Sequence, residues 1–127
     1  MTYKILIVDD SKLARMSVAK VLSGLEPDWT RIEAVDAEQA VAMVKAESPD
    51  IVLLDFNMPG RDGLTLAADL NAINPEMPVA ILSANIQDEI VSRSHEVGAA
   101  FLAKPLTQAA LQSFLAAATT RLRAAAQ

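Results

Sequence analysis

Apolar and polar positions along the 127-residue chain fall into short runs of two alternating kinds. Lys4-Ile-Leu-Ile-Val8, Ile51-Val-Leu-Leu54, Pro78-Val-Ala-Ile-Leu82 and Ala100-Phe-Leu-Ala103 are continuous apolar runs, the pattern of strands buried on both faces. Thr30-Arg-Ile-Glu-Ala-Val35 is a weaker run of the same kind and reads as an edge strand.

Between these runs the pattern turns helical. From Lys12, steps of about 100° per residue gather Ala14, Val18, Val21, Leu22 and Leu25 on one stripe, with Leu13, Met16 and Lys20 on the far side as exposed candidates. Asp36 caps a helix to about Ala46 with Ala40, Val41 and Val44 inward. A helix from Leu64 to about Asn74 turns Leu66, Leu70 and Ile73 to the core and is closed by Pro75. Ile86 to Val97 forms a fourth helix stopped by Gly98, and Thr107 opens the last, with Leu111, Phe114, Leu115, Ala118 and Leu122 inward and Ser113, Ala116, Ala117 and Thr120 outward.

Five strands alternating with five helices imply a parallel sheet covered on both faces, because parallel neighbours need right-handed crossovers. The expected fold is α/β, a flavodoxin-like doubly wound sheet in the order 2-1-3-4-5. That order sets the first and third strands side by side at the topological switch point, where ligands bind beyond the carboxyl ends of strands. Asp9 and Asp10, which end the first run, and Asp55, which ends the third, should therefore meet in one crevice, with Ser83 and Lys104 delivered to the same rim.

Composition narrows the choice. At 127 residues and 52% hydrophobic content the chain suits one domain spanning 1–127, without an output region. No apolar run approaches the roughly 18 residues needed to cross a bilayer, and the N-terminus lacks a secretion signal, so the expected localisation is cytoplasmic, away from the membrane. Cysteine is absent and His95 is the single histidine, so any metal must be oxygen-ligated. On its polar helix face His95 reads as a solvated residue. A net charge of −5 argues against nucleic acid as a partner.

The rim carries the chemistry. At about 4 Å and an effective dielectric of about 20, each like-charge pair costs on the order of 4 kcal/mol, so three clustered carboxylates demand a cation. Lys104 supplies one charge and a hard divalent ion, Mg²⁺ by preference, supplies two more while leaving open positions suited to phosphate. Asp55 could then accept a phosphoryl group as nucleophile, with the metal and Lys104 neutralising the transferring oxygens and Ser83 donating a hydroxyl hydrogen bond.

Together these motifs resemble the receiver domain of two-component response regulators, of the stand-alone chemotaxis type. Ile5-Leu-Ile-Val-Asp9-Asp10 resembles the family's acidic pair, Leu54-Asp55-Phe-Asn57-Met-Pro59-Gly-Arg-Asp-Gly63 its phosphorylation loop, Ser83-Ala84 its strand-end hydroxyl and small neighbour, and Phe101-Leu-Ala-Lys104-Pro105 its switch aromatic and Lys-Pro pair. The resemblance implies that a histidine kinase or histidine phosphotransfer protein phosphorylates Asp55, giving a 4-aspartylphosphate. It implies that Asp10, Asp55 and the Asn57 backbone carbonyl bind Mg²⁺, with Asp9 acting through water. Lys104 and Ser83 would contact the phosphoryl group, Phe101 would move inward behind Ser83, and a cis bond before Pro105 would aim Lys104. On this reading the protein is a phosphoacceptor that assists its own phosphorylation and dephosphorylation rather than an enzyme. Its partners are the phosphodonor and a downstream effector reached through the surface of the fourth helix, fifth strand and fifth helix, and it stays monomeric. The Gly98-Ala99-Ala100-Phe101 segment is one residue shorter than in many relatives. The Leu13 and Met16 patch is either surface scatter or a kinase-docking face.

The alternative from another class is a Mg²⁺-dependent aspartyl phosphatase of the haloacid dehalogenase type. It requires Asp-x-Asp after the first strand, whereas here the acids are adjacent and Ser11 follows, and no cap insertion is present.

Overall fold

The computed structural model describes residues 2–126. Its elements are β1 (Lys4–Val8), α1 (Lys12–Leu25), β2 (Thr30–Ala34), α2 (Ala37–Glu47), β3 (Ile51–Asp55), α3 (Gly63–Ile73), β4 (Val79–Ser83), α4 (Asp88–Glu96), β5 (Ala100–Ala103) and α5 (Gln108–Ala125). All strand pairs are parallel and the order is β2-β1-β3-β4-β5, as expected from the alternation.

Because successive strand side chains point to opposite faces, the apolar runs feed two cores. Ile5, Ile7, Ile51, Leu53, Ala80 and Leu82 pack with Val18 and Leu22 of α1 and Leu111, Leu115 and Ala118 of α5. Leu6, Val8, Val52, Leu54, Val79 and Ile81 pack on the other face with Ala40 and Val44 of α2 and Leu66, Ala67 and Leu70 of α3. β3 is central and buried at every position, whereas β2 has Thr30, Arg31 and Glu33 exposed, as an edge strand should.

Helix starts follow their caps. Ser11, Asp36, Asp62 and Thr107 each accept a hydrogen bond from the backbone N–H three residues on, opening α1, α2, α3 and α5. β2 ends one residue before Val35 and β4 is shifted by one residue to Val79–Ser83, and two further sequence expectations differ from the structure. α4 begins at Asp88 rather than Ile86, because the Asn85 carboxamide oxygen accepts from the Gln87 N–H in a turn that competes with helix, leaving Ile86 65% exposed. Ile73 is 40% exposed rather than inward: α3 ends there, and the core beyond it is closed by Met77, which is buried after the turn at Asn74.

Candidate functional site

The carboxyl ends of four strands meet at one rim. Asp9 follows β1, Asp55 ends β3, Ser83 ends β4 and Lys104 follows β5. Asp9, Asp55 and Ser83 are buried, Asp10 is exposed and Lys104 is half-buried. Asp9, Asp10 and Asp55 each present an oxygen within 4.8 Å of the others, the arrangement the strand order implied.

Lys104 Nζ lies 2.5 Å from Asp55 Oδ1 and 3.4 Å from Asp9 Oδ2, so one ammonium bridges two buried carboxylates. It reaches them from the far side of β4, where its backbone N–H donates to the Ser83 carbonyl at 3.0 Å and the Lys104–Pro105 bond is cis. Asp9 is gripped further: its Oδ1 accepts from the Ser11 N–H at 3.0 Å, and its own N–H donates to the Ala34 carbonyl at 3.1 Å. The Ser83 hydroxyl accepts from the Asn85 N–H at 3.0 Å, which leaves its O–H free to donate.

Burial pushes the Asp55 carboxyl above its ordinary value, against the Lys104 hydrogen bond, and the negative charges of Asp9 and Asp10 push it further the same way. Burial works to lower Lys104, yet its hydrogen bond and charge contacts with Asp55 and Asp9 outweigh this and hold the ammonium above its usual range. The cluster thus carries excess negative charge even with Lys104 in place. Its donors are all oxygen, and Asp10 opens to solvent, which suits a hard divalent cation that keeps part of its water shell.

At the mouth, Asp10, Phe56, Asn57, Met58, Pro59 and Asp62 line a shallow cavity of about 350 Å³. A larger opening of about 690 Å³ lies beside it, bordered by Asp36, Glu38 and Arg61, but it lacks the convergent carboxylates. The loop under the mouth is tight: the Gly63 N–H donates to the Phe56 carbonyl at 2.8 Å, and a Cβ on Gly63 would stand 2.7 Å from the Asp55 carbonyl oxygen.

All five rim residues singled out in the sequence therefore come together. Phe101 stands apart: it is half-buried, belongs to neither apolar cluster and pairs with Ile81, two residues before Ser83. His95 is exposed near the end of α4, and Leu13 and Met16 are 77% and 56% exposed on α1. One residue near the site, Arg15, was not singled out in the sequence, and Gly63 was named only as part of the loop motif, without its packing role. Arg15 donates to the Asp9 carbonyl at 2.7 Å, and Gly63 allows the loop to close; the signal for the first was an arginine one turn into the helix after the acids, and for the second a glycine inside a first helical turn.

The response regulator receiver domain model matches residues 5–116. The transcriptional regulatory protein PdtaR of Mycobacterium tuberculosis is 34% identical over 94% of this chain, which spans just over half of that relative, 58% of its length. The chemotaxis protein CheY of Bacillus subtilis is 35% identical over 83% of this chain and 88% of its own length. Among solved structures, CheY in the CheX–CheY–BeF₃–Mg²⁺ complex of Borrelia burgdorferi superposes with a TM-score of 0.81 at 29% identity, covering 89% of this chain and 86% of that one.

Proposed function

The chain belongs to the response regulator receiver domain family, and on that premise we propose that Asp55 is its phosphoacceptor, in a Mg²⁺-dependent reaction assisted by Lys104 and Ser83. The observation that carries this reading is the Lys104 ammonium bridging Asp55 and Asp9 beside Asp10, at the end of the central strand. The relative solved with BeF₃ and Mg²⁺ supports it. One Asp55 oxygen attacks phosphorus in a histidine kinase, a histidine phosphotransfer protein or a small acyl phosphate; the new P–O bond forms as the donor's bond to phosphorus breaks, and the electron pair leaves with the donor. Asp10, Asp55 and the Asn57 backbone carbonyl would hold Mg²⁺, with Asp9 acting through water, and the ion would supply neutralising charge for the phosphoryl group. Lys104 turns from pairing Asp55 to pairing the phosphoryl group, and the free Ser83 O–H donates to it.

The haloacid dehalogenase alternative is not supported, since the family match, the chemotaxis relative and the adjacent acids all point away from it. Among the described residues no helix is long and apolar enough to cross a membrane. A single sheet, with both faces covered, supports reading residues 1–127 as one receiver unit.

The Asp10→Ala variant is expected to bind Mg²⁺ more weakly yet melt higher than wild type in EDTA. Asp10 makes no helix cap, a role taken by Ser11, so its removal takes away repulsion and no hydrogen bond to α1. The part of that repulsion between Asp10 and Asp55 exists only when Asp55 is ionised. Because the folded-state value of Asp55 is raised, its cost builds as pH rises from the ordinary carboxylate value and is complete above the raised one, so this part of the gain from Asp10→Ala should fade in acid. A lower apo melting temperature at neutral pH would contradict the electrostatic account.

Phosphorylation replaces the single charge of the Asp55 carboxylate with a phosphoryl group of about two negative charges, a net gain of about one, and draws Ser83 and Lys104 inward, reshaping the surface formed by α4, β5 and α5 for a different protein. That outer face of α5 is small and uncharged at Ser113, Ala116, Ala117 and Thr120, all exposed, and no acid occurs from Thr107 to Gln127. Without alternating charges to fix a two-fold register, the activated chain should stay monomeric. Light scattering with beryllofluoride and Mg²⁺ tests this, and a shift to dimer at micromolar concentration would contradict it.

A further inference from the structure

Arg15 ties the acidic pair to the edge of the sheet. Its side chain is only 12% exposed, and its guanidinium makes two contacts from different nitrogens: Nε to Glu33 Oε1 on β2 at 2.7 Å, and Nη1 to the Asp9 carbonyl oxygen at 2.7 Å. That carbonyl belongs to the planar peptide joining Asp9 to Asp10. The same residue's N–H is already committed to the Ala34 carbonyl, so both sides of the Asp9 backbone are tied, one to β2 directly and one through Arg15.

The two acids differ in what orients them. The Asp9 carboxylate is held by the Ser11 N–H and by Lys104. The Asp10 carboxylate is exposed, and among the described residues no donor reaches it. No side-chain partner restricts its rotamers, so what the fold controls is the backbone from which it projects, and Arg15 holds the peptide plane leading into that backbone.

We propose that Arg15 is a positioning residue for the divalent-cation site: its fork across the Asp9 carbonyl and Glu33 fixes the Asp9–Asp10 peptide plane and so aims the Asp10 carboxylate at Asp55. The inference rests on the reading that Asp9, Asp10 and Asp55 hold Mg²⁺. A planar fork with separated donors can serve both partners at once, whereas an ammonium is a compact point charge that keeps the charge and loses the geometry. Glu33 is half-exposed, and as an isolated surface pair it would add little to stability; its part is to hold the guanidinium in plane.

Charge and geometry predict opposite results, which makes the inference testable. Melting temperature is followed against Mg²⁺ concentration for wild type, Arg15→Ala and Arg15→Lys, each also measured in EDTA. Positioning predicts that the apparent Mg²⁺ dissociation constant rises about tenfold in both variants, the scale seen when groups that orient metal ligands are removed. Charge alone predicts tighter binding in Arg15→Ala, since a cation beside three carboxylates has gone, and no change in Arg15→Lys. Either of those outcomes overturns the proposal, as does a lower melting temperature in EDTA with an unchanged Mg²⁺ constant, which would assign Arg15 to holding α1 on β2. Because Arg15 acts through Asp10, Arg15→Lys should weaken Mg²⁺ no further in an Asp10→Ala background; additive weakening contradicts that route. If Mg²⁺ fails to raise the wild-type melting temperature, the metal reading itself falls and takes the inference with it.

Discussion

A chain with Asp55 replaced by Asn takes up no phosphoryl group from acetyl phosphate and Mg²⁺, under conditions in which wild type is labelled. The substitution keeps the shape of the side chain and leaves an oxygen for the Lys104 hydrogen bond, so the fold should persist. What is lost is the anionic nucleophile, and neither neighbouring acid can replace it. Asp9 is committed to the Ser11 N–H and Lys104, and Asp10 is exposed at the mouth with no donor among the described residues to orient it for attack. Loss should therefore be complete rather than partial. Residual labelling at a substantial fraction of the wild-type level would place the acceptor elsewhere.

The second large effect is on the fold beneath the site. Gly63→Ala should lower stability by about 3 kcal/mol, the upper end of the usual cost of overpacking, because the new methyl meets backbone rather than a side chain that can move. It would stand 2.7 Å from the Asp55 carbonyl oxygen and 2.8 Å from Phe56 Cα. Gly63 lacks the positive φ found at Gly60 and Gly98, so the requirement is for close approach and not for an unusual backbone conformation. For a chain of this size the expected fall in melting temperature is roughly 10 °C. The loop bearing Asn57 and Met58 should also shift, slowing phosphorylation. A variant that melts with wild type would show that the loop can open at little cost.

The central part of this architecture is legible in residue order. Continuous apolar runs can be satisfied only by strands covered on both sides, and the residue that ends each run falls at one rim once the strands are parallel. This places Asp9, Asp55, Ser83 and Lys104 together with no contact known, and the bounds of β1 and β5 agree with the pattern to the residue.

What the pattern conceals depends on atoms that periodicity does not describe. The start of α4 is set by the Asn85 side chain turning back on the Gln87 N–H, which outcompetes an apolar period running through Ile86. Ile73 keeps helical spacing but lies at the end of α3, where Met77 has taken over the core. Arg15 occupies a flank of α1 beside its buried stripe, and apolar periodicity does not describe a polar side chain that folds back on the strand end one turn before it. Trp29 is similar: it lies before β2 in a polar stretch, yet it is buried and meets Tyr3 edge to face at 5.1 Å.

The most direct test of the account is to locate the phosphoryl group. Wild-type protein is treated with acetyl phosphate and Mg²⁺, the acyl phosphate is trapped by borohydride reduction, and the modified residue is assigned by peptide mass spectrometry, with a parallel sample in EDTA. The account predicts one modified residue, Asp55, and no modification in EDTA. A phosphoryl group on any other residue, or labelling that survives removal of the metal, would contradict it.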